Sequence, residues 1–300
     1  MHPCFRISVA GLILCAVLWF LPERVNGQIY VANYSAGTIG EYNLDGTTVN
    51  TSLISGLSGP NGLVVYGGYL FVANYSAGTI GEYNLDGSVV NASLISGLNN
   101  PVGLAVSGGN IFVANFGTGT IGEYNLDGTT VNASLISGLS GPQGLAVSGG
   151  NIYVVNHYAN SIGAYTTLGA TVNISLISGL SGPQGIAVSG GNIYVGNGGN
   201  NTIGEYTTLG ATVNISLVSG LSSPDTLAVS GGEIYVANFG NNTIGAYTTL
   251  GATDNASLVS GLNGPYGIDV VTTPEPSTLA LTSLGGALLL LFRRQRQQVD

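Results

Sequence analysis

The sequence predicts an all-β fold, a six-bladed β-propeller with four antiparallel strands in each blade. Three observations predict it. A unit of 41 residues recurs six times without insertion or deletion. Each unit holds four short strand-like segments divided by turn residues. The repeat is also out of phase with the chain ends, so that the two ends together complete one unit.

The elements follow in chain order. Residues 1–27 read as a secretory signal peptide: Arg6 is the basic start, Ile7 to Leu21 the apolar core, and Val25-Asn26-Gly27 the small-residue cleavage site. Cleavage after Gly27 leaves Gln28 first. Cys15 follows Leu14 rather than a small residue, which does not suit lipoprotein processing. The repeat then occupies residues 28–272. Asn33, Asn74, Asn115, Asn156, Asn197 and Asn238 mark its 41-residue period, as do Pro60, Pro101, Pro142, Pro183, Pro224 and Pro265. One unit shows the four segments: Gly144 to Val147, a Ser-Gly-Gly turn, Ile152 to Val155, a polar loop, Ser161 to Tyr165, a turn around Leu168-Gly169, and Ile174 to Ile177. Turns this short join antiparallel neighbours. Four such strands in about 40–45 residues make a propeller blade.

The first two segments of each unit are apolar on consecutive rather than alternate residues, so both faces are covered. Blades packed face to face provide that cover. The first unit starts at Ile29 with its second strand, and the last unit runs on into Pro265 to Val271, a first strand without its blade. Joining the two closes the ring and removes both sheet edges. The recurring Glu41, Glu82, Glu123 and Glu205, replaced by Ala in two units, suggest a solvated outer strand. Asn33 and its repeats are expected to bond local backbone at a turn. The Asn-x-Ser triplets, such as Asn91-Ala92-Ser93, are read as products of the repeat rather than glycosylation sites.

Residues 273–300 hold Pro274-Glu275-Pro276, an apolar run from Leu279 to Phe292, and Arg293-Arg294-Gln295-Arg296. In that order they resemble the PEP-CTERM sorting signal of bacterial surface proteins. The resemblance implies processing by an exosortase-type enzyme, transient anchoring in the inner membrane through a C-terminal hydrophobic helix, and a Gram-negative source that makes extracellular polysaccharide. Signal peptidase is the other expected processing partner. The terminal arginines favour the cytoplasmic side. The expected address is the cell surface, outer membrane or extracellular matrix.

Charge narrows the partners. The chain has no lysine, and its five arginines all lie in the terminal segments. From Gln28 to Thr273 there are eleven Asp and Glu and no Lys or Arg. Such a domain cannot neutralise phosphates, which excludes nucleic acid, and it lacks the usual anchors for anionic substrates. Both cysteines, Cys4 and Cys15, fall in the signal segment, so thiol chemistry and disulfides are absent from the propeller sequence.

The unit Pro-x-Gly-Leu-Ala-Val-Ser-Gly-Gly-Asn-Ile-Tyr-Val-Ala-Asn resembles the NHL-type repeat and its gluconolactonase-like and virginiamycin B lyase-like relatives, over residues 29–271. The resemblance implies that the Pro-x-Gly strand is innermost. The residue after each proline then rings one mouth of the channel: Asn61, Val102, Gln143, Gln184, Asp225 and Tyr266. The adjoining loops carry Tyr34, Tyr75, Phe116, His157, Tyr158 and Phe239. These positions vary while the framework repeats, as specificity positions on a scaffold do. Aromatic faces beside neutral amides suit a carbohydrate. The expected function is a non-catalytic binding or scaffold module for extracellular polysaccharide or a surface protein, without a cofactor. The alternative is a metal-dependent lactonase or lyase. Gluconolactonase-like enzymes hold a divalent metal with Glu, Asn and Asp, and the counterpart here is Asp225, with Asn61 and the glutamines as oxygen ligands for a cation such as Ca²⁺. Lyase-like chemistry leans on histidine, and His157 is the single histidine after the signal segment.

Overall fold

A computed structural model describes residues 26–273, and the propeller body is Gly27–Val271. The expected signal segment up to residue 25, and the tail with Pro274, Glu275 and Pro276, lie outside the described residues. Six four-stranded antiparallel sheets, β1–β24 in chain order, form the six blades. The innermost strands are β4 (Pro60–Tyr66), β8 (Pro101–Ser107), β12 (Pro142–Ser148), β16 (Pro183–Ser189), β20 (Pro224–Ser230) and β24 (Pro265–Thr273). Blade one is composite: β24 pairs with β1 (Asn26–Asn33), followed by β2 (Thr38–Asn43) and β3 (Thr48–Ile54). β1 begins one residue before Gly27, which is buried in it.

The second strand of each blade is the most deeply covered, as its continuous apolar pattern requires. Ile29, Val31, Leu70, Val72, Ile111, Val113, Ile152, Val154, Ile193, Val195, Ile234 and Val236 are all 0% exposed. An apolar cluster fills the gap between each pair of neighbouring blades. The cluster joining blades six and one combines Tyr235, Ala237 and Ile244 with Ile29, Val31 and Ile268. The ring is therefore sealed by the same packing that stacks every other pair. Polar contacts also hold the last strand to blade two and to the first strand of the chain. The Val65 N–H donates to Asp269 Oδ2 at 2.8 Å, and Tyr34 N–H to the Gly264 carbonyl at 2.8 Å.

Local sequence sets each turn. Ser-Gly-Gly between first and second strands needs positive φ at two successive residues, as at Gly149 (57°) and Gly150 (77°), which glycine adopts without strain. The turn between third and fourth strands has two chemical forms. In blade one the Asp45 carboxylate accepts from Thr47 N–H at 2.9 Å, and Asp86 and Asp127 do the same in the next two blades. In the last three blades Thr166, Thr207 and Thr248 Oγ1 accept from the Ala170, Ala211 and Ala252 N–H groups, each at 3.1 Å.

The fourth strand is the solvated one, and this corrects the expectation for the glutamates. Glu123 and Glu205 lie on the third strand, 9% and 7% exposed. Asn110 Nδ2 donates to Glu123 at 2.6 Å and Asn192 Nδ2 to Glu205 at 2.8 Å. The fourth strand pairs beside them, at Asn132 and Asn214, and its Asn-x-Ser triplet explains its own irregularity. Asn50 Oδ1 accepts from Ser52 N–H at 3.0 Å, and the repeats do likewise. The register shifts beside this bend in every blade. A bulged, kinked edge strand is a poor template for pairing with another chain. The Asn33 series departs from expectation too. The Asn33 main-chain carbonyl accepts from Gly37 N–H at 2.9 Å, but the side chain turns to Thr38 Oγ1, and Oδ1 of Asn33, Asn74, Asn115, Asn156 and Asn197 is buried without a hydrogen-bond partner. Two members keep the expected backbone bonds: Asn197 Nδ2 donates to the Val195 carbonyl and Asn238 Oδ1 accepts from Ser222 N–H, each at 3.4 Å.

The inner strands meet most closely at Pro-x-Gly. A Cβ on Gly103 would lie 2.3 Å from the Gln143 carbonyl oxygen, one on Gly62 2.1 Å from that of Val102, and one on Gly267 2.0 Å from that of Asn61. Gly103→Ala therefore forces two adjacent blades apart. It is expected to lower stability by about 1–3 kcal/mol, the usual range for overpacking, measured as a shift in the urea unfolding midpoint against an alanine placed on an exposed fourth strand.

Candidate functional site

At the end of the channel where the inner strands begin, a cavity of about 220 Å³ opens. Its lining joins Asn61, Val102, Gln143, Gln184, Asp225 and Tyr266 from all six inner strands with Tyr34, Tyr75 and Phe116 from the loops. The inner-strand glycines Gly62, Gly103 and Gly144 form its floor together with Thr226. Below that floor the channel continues as a second cavity of about 200 Å³, lined by Leu63, Leu104, Leu145, Ile186, Leu227 and Ile268 and by one acid, Asp269.

The glycine-to-carbonyl contacts explain why these side chains converge. The carbonyl after each proline points sideways at the next inner strand, which leaves its side chain to face the axis or the mouth. In blade six Thr226 stands where the other five have glycine, and its hydroxyl donates to the Tyr266 carbonyl. Sequence reasoning passed over this position, although one threonine among five glycines in a strict repeat was a readable signal.

Above the cavity the loops form an aromatic rim. Tyr34 lies 6.2 Å from Tyr75 and 5.0 Å from Tyr266 between ring centroids, and Tyr266 lies 4.9 Å from Phe239. A second arc runs from Phe116 to Tyr158 at 5.5 Å and on to His157 at 5.3 Å. Blade five has Gly198-Gly199 at this place, so the rim is a horseshoe open beside Gln184. His157, Tyr158 and Phe239 stand outside the cavity lining. The His157 Nδ1–H donates to the Pro183 carbonyl at 3.0 Å, which fixes the ring against the start of β16, outside the cavity lining.

The electrostatics centre on Asp225. It is 8% exposed, and no hydrogen bond from the described residues reaches its carboxyl. Burial pushes its pKa up from 3.8 to about 8. Burial and then the nearby Asp225 also raise the Tyr266 phenol, with Tyr34 and Tyr75 adding to it. Asn61 Oδ1 and Gln143 Oε1, in the same lining, are buried without partners. The divalent metal implied by a gluconolactonase-like site does not fit this set. Only one carboxyl is present, it is held toward its neutral form, and no group of three or more His, Cys, Asp or Glu converges among the described residues.

An acid with a higher pKa folded than unfolded binds its proton preferentially in the folded state. The contribution of Asp225 to stability is thus complete below its ordinary value of 3.8 and is lost as pH rises through about 8. Asp225→Asn removes that loss. The variant is expected to match the parent near pH 4 and to exceed it in unfolding midpoint at pH 8, measured by urea titration across the range.

The chain is similar in fold to several solved propellers. The Nidogen/Laminin complex structure is 18% identical, with a TM-score of 0.73 over 81% of this chain and 98% of that one. A catalytically inactive histidine-to-alanine form of virginiamycin B lyase from Staphylococcus aureus with Quinupristin is 19% identical, with a TM-score of 0.62 over 84% and 94%. A gluconolactonase from Xanthomonas campestris is 15% identical, with a TM-score of 0.62 over 81% and 88%. No curated protein matches the chain. Residues 20–279, which take in every blade, match the model of the virginiamycin B lyase family, and the chain belongs to that family.

Proposed function

We propose that this chain is an exported, surface-associated propeller that binds a stretch of extracellular polysaccharide at its channel mouth without turning it over. The observation that carries this reading is the make-up of the mouth: aromatic faces above, amides below, and neither a histidine nor a cation in the lining. The cavity, at about 220 Å³, is smaller than the 300–1,000 Å³ usual for small-molecule sites. It admits one sugar ring, and the remainder of a polymer lies on the rim. The gap at Gly198-Gly199 gives a linear chain a way out. Pyranose C–H faces stack on Tyr34, Tyr75 and Tyr266, and sugar hydroxyls donate to Asn61 and Gln143.

Family membership favours a second reading, a lyase or lactonase. The Staphylococcus aureus enzyme becomes catalytically inactive when a histidine is replaced by alanine. Here the single histidine of the described residues is held to Pro183 outside the cavity. A serine nucleophile likewise lacks a base within the lining.

Export follows from the two terminal segments, with signal peptidase cutting after Gly27 and an exosortase-type enzyme acting on the tail. Terminal mass spectrometry of the chain recovered from the cell surface is expected to begin at Gln28. The full-length chain is expected to be retained on polysaccharide beads, and Tyr34→Ala with Tyr75→Ala to weaken retention by about tenfold, given about 0.5–1.5 kcal/mol for each aromatic contact. Quinupristin and gluconolactone are expected to pass through unchanged. Turnover of either, abolished by Asp225→Ala, would reverse the assignment in favour of the enzyme.

A further inference from the structure

We propose that the channel mouth recognises a primary ammonium group, carried by an amino sugar of a partly deacetylated glycan, with Asp225 as its counter-ion and Asn61 Oδ1 and Gln143 Oε1 as its other two acceptors. The inference rests on the glycan reading above and names the chemistry within it.

The first support is a buried carboxyl without a partner. Asp225 is more than nine-tenths buried, lines the cavity and receives no hydrogen bond from the described residues. Between Gln28 and Thr273 the chain offers no Lys or Arg to neutralise it. Its ionised form needs a cationic partner, and any such cation enters from outside.

The second support is the symmetry of the acceptors. Asn61 is on the inner strand of blade two, Gln143 on that of blade four and Asp225 on that of blade six. These are alternate blades of a six-bladed ring, a third of a turn apart around one axis. Both amide oxygens are buried and unpartnered. An ammonium group has three N–H donors and no acceptor. Entering along the channel axis, it directs one donor to each of the three blades. A sugar hydroxyl has one donor and leaves two of the three acceptors unmet. A guanidinium is a flat fork that suits two parallel acceptors rather than three around an axis. A divalent cation is left undercompensated by a single carboxylate.

The third support is the aromatic surround. Tyr34, Tyr75, Phe116 and Tyr266 line the same cavity, and a cation beside such faces gains further attraction. The titratable groups around Asp225 are Tyr266, Tyr34 and Tyr75 in the mouth and Asp269 deeper on β24. None of them is a competing cation. With its pKa at about 8 in the free protein, Asp225 is largely protonated at pH 7. Pairing with an ammonium draws that pKa down, so binding at neutral pH expels a proton.

The test is calorimetric titration of the full-length chain at pH 7, in two buffers of different ionisation enthalpy. The probes are a fully deacetylated glucosamine tetramer, its N-acetylated counterpart, methylammonium chloride, a lysine amide and calcium chloride. The deacetylated tetramer is expected to bind at least about tenfold more tightly than the N-acetylated one, as a charge-assisted hydrogen bond of about 1.5–3 kcal/mol implies. Binding of methylammonium, which is fully charged at pH 7, is expected to release close to one proton. Asp225→Asn is expected to erase both the preference and the proton release, while its unfolding midpoint shows that it folds. Equal binding of the two tetramers, or a preference that survives Asp225→Asn, overturns the ammonium inference and leaves the glycan reading standing. Binding of neither tetramer, with Asp225-dependent binding of methylammonium or tighter binding of the lysine amide, supports ammonium recognition and removes the glycan as its carrier. Calcium binding that needs Asp225 and displaces the tetramer overturns the inference in favour of a metal site. Silence from every probe overturns the inference and the glycan reading together.

Discussion

The contact between one glycine and one carbonyl sets the geometry of this propeller. Along the Pro-x-Gly motif five of the six inner strands press a glycine Cα against the main-chain carbonyl of the next blade, so closely that a Cβ would intrude to between 2.0 and 2.6 Å of that oxygen. Protein interiors tolerate little volume change at such points. The spacing fixes how far the inner strands stand from the axis, and hence how wide the channel is. It also fixes direction. A carbonyl turned toward its neighbour leaves the side chain of the same residue facing the mouth. The scaffold requirement and the presentation of Asn61, Val102, Gln143, Gln184, Asp225 and Tyr266 are thus consequences of one backbone arrangement. The apolar clusters between blades hold that arrangement in place, and the composite first blade extends it across the chain ends.

The architecture was legible because the 41-residue period is strict and because strand periodicity reports burial on both faces. Closure was legible from the phase of the repeat at its ends. The mouth residues were legible for a related reason: on a repeating scaffold, the positions that break the repeat are conspicuous. What spacing could not convey was depth. The glutamates at 123 and 205 read as solvent-facing because two blades replace them with Ala. They lie beside fourth strands whose own apolar residues, Val131 and Ile215, stand 50% and 67% exposed. A hydrophobic residue outside and a glutamate inside invert the usual rule. The reason is local pairing with Asn110 and Asn192, which only the register of neighbouring strands reveals. His157 illustrates the same limit. Its loop carries Tyr158, which packs on Phe116 of the cavity lining, but the backbone acceptor that holds its own ring belongs to the next blade.

Departures from the repeat are not spread evenly. Blades one to three share one turn chemistry and blades four to six another, yet both forms satisfy the same backbone groups, so this difference is neutral for the fold. Blade six departs in another way. Asp225-Thr226 stands where each other blade has a neutral residue and glycine. The threonine adds bulk at the tightest point of the ring and offsets it by donating to the Tyr266 carbonyl. The acid adds a charge in a place where no group of the propeller neutralises it. Two adjacent, unfavourable substitutions in one blade, facing one cavity, do not resemble drift on a scaffold.

That asymmetry bears on why the propeller keeps a group that weakens it. A neutral amide at 225 would leave the glycine contacts, the seam and the inter-blade clusters intact, and would remove the penalty of ionising a carboxyl with little access to water. Local strain and unmet polar groups gather at functional sites because a ligand, rather than the fold, satisfies them. In the free state Asp225 escapes most of its penalty at neutral pH by holding a proton, which makes the mouth nearly uncharged until something arrives that can replace that proton. A neutral polymer can stack on the aromatic rim but cannot make that replacement. Under the function we propose, the rim and the floor select different properties of a ligand. The rim would take a sugar-like face, and the floor would discriminate by charge, at a position the repeat otherwise fills with residues that carry none.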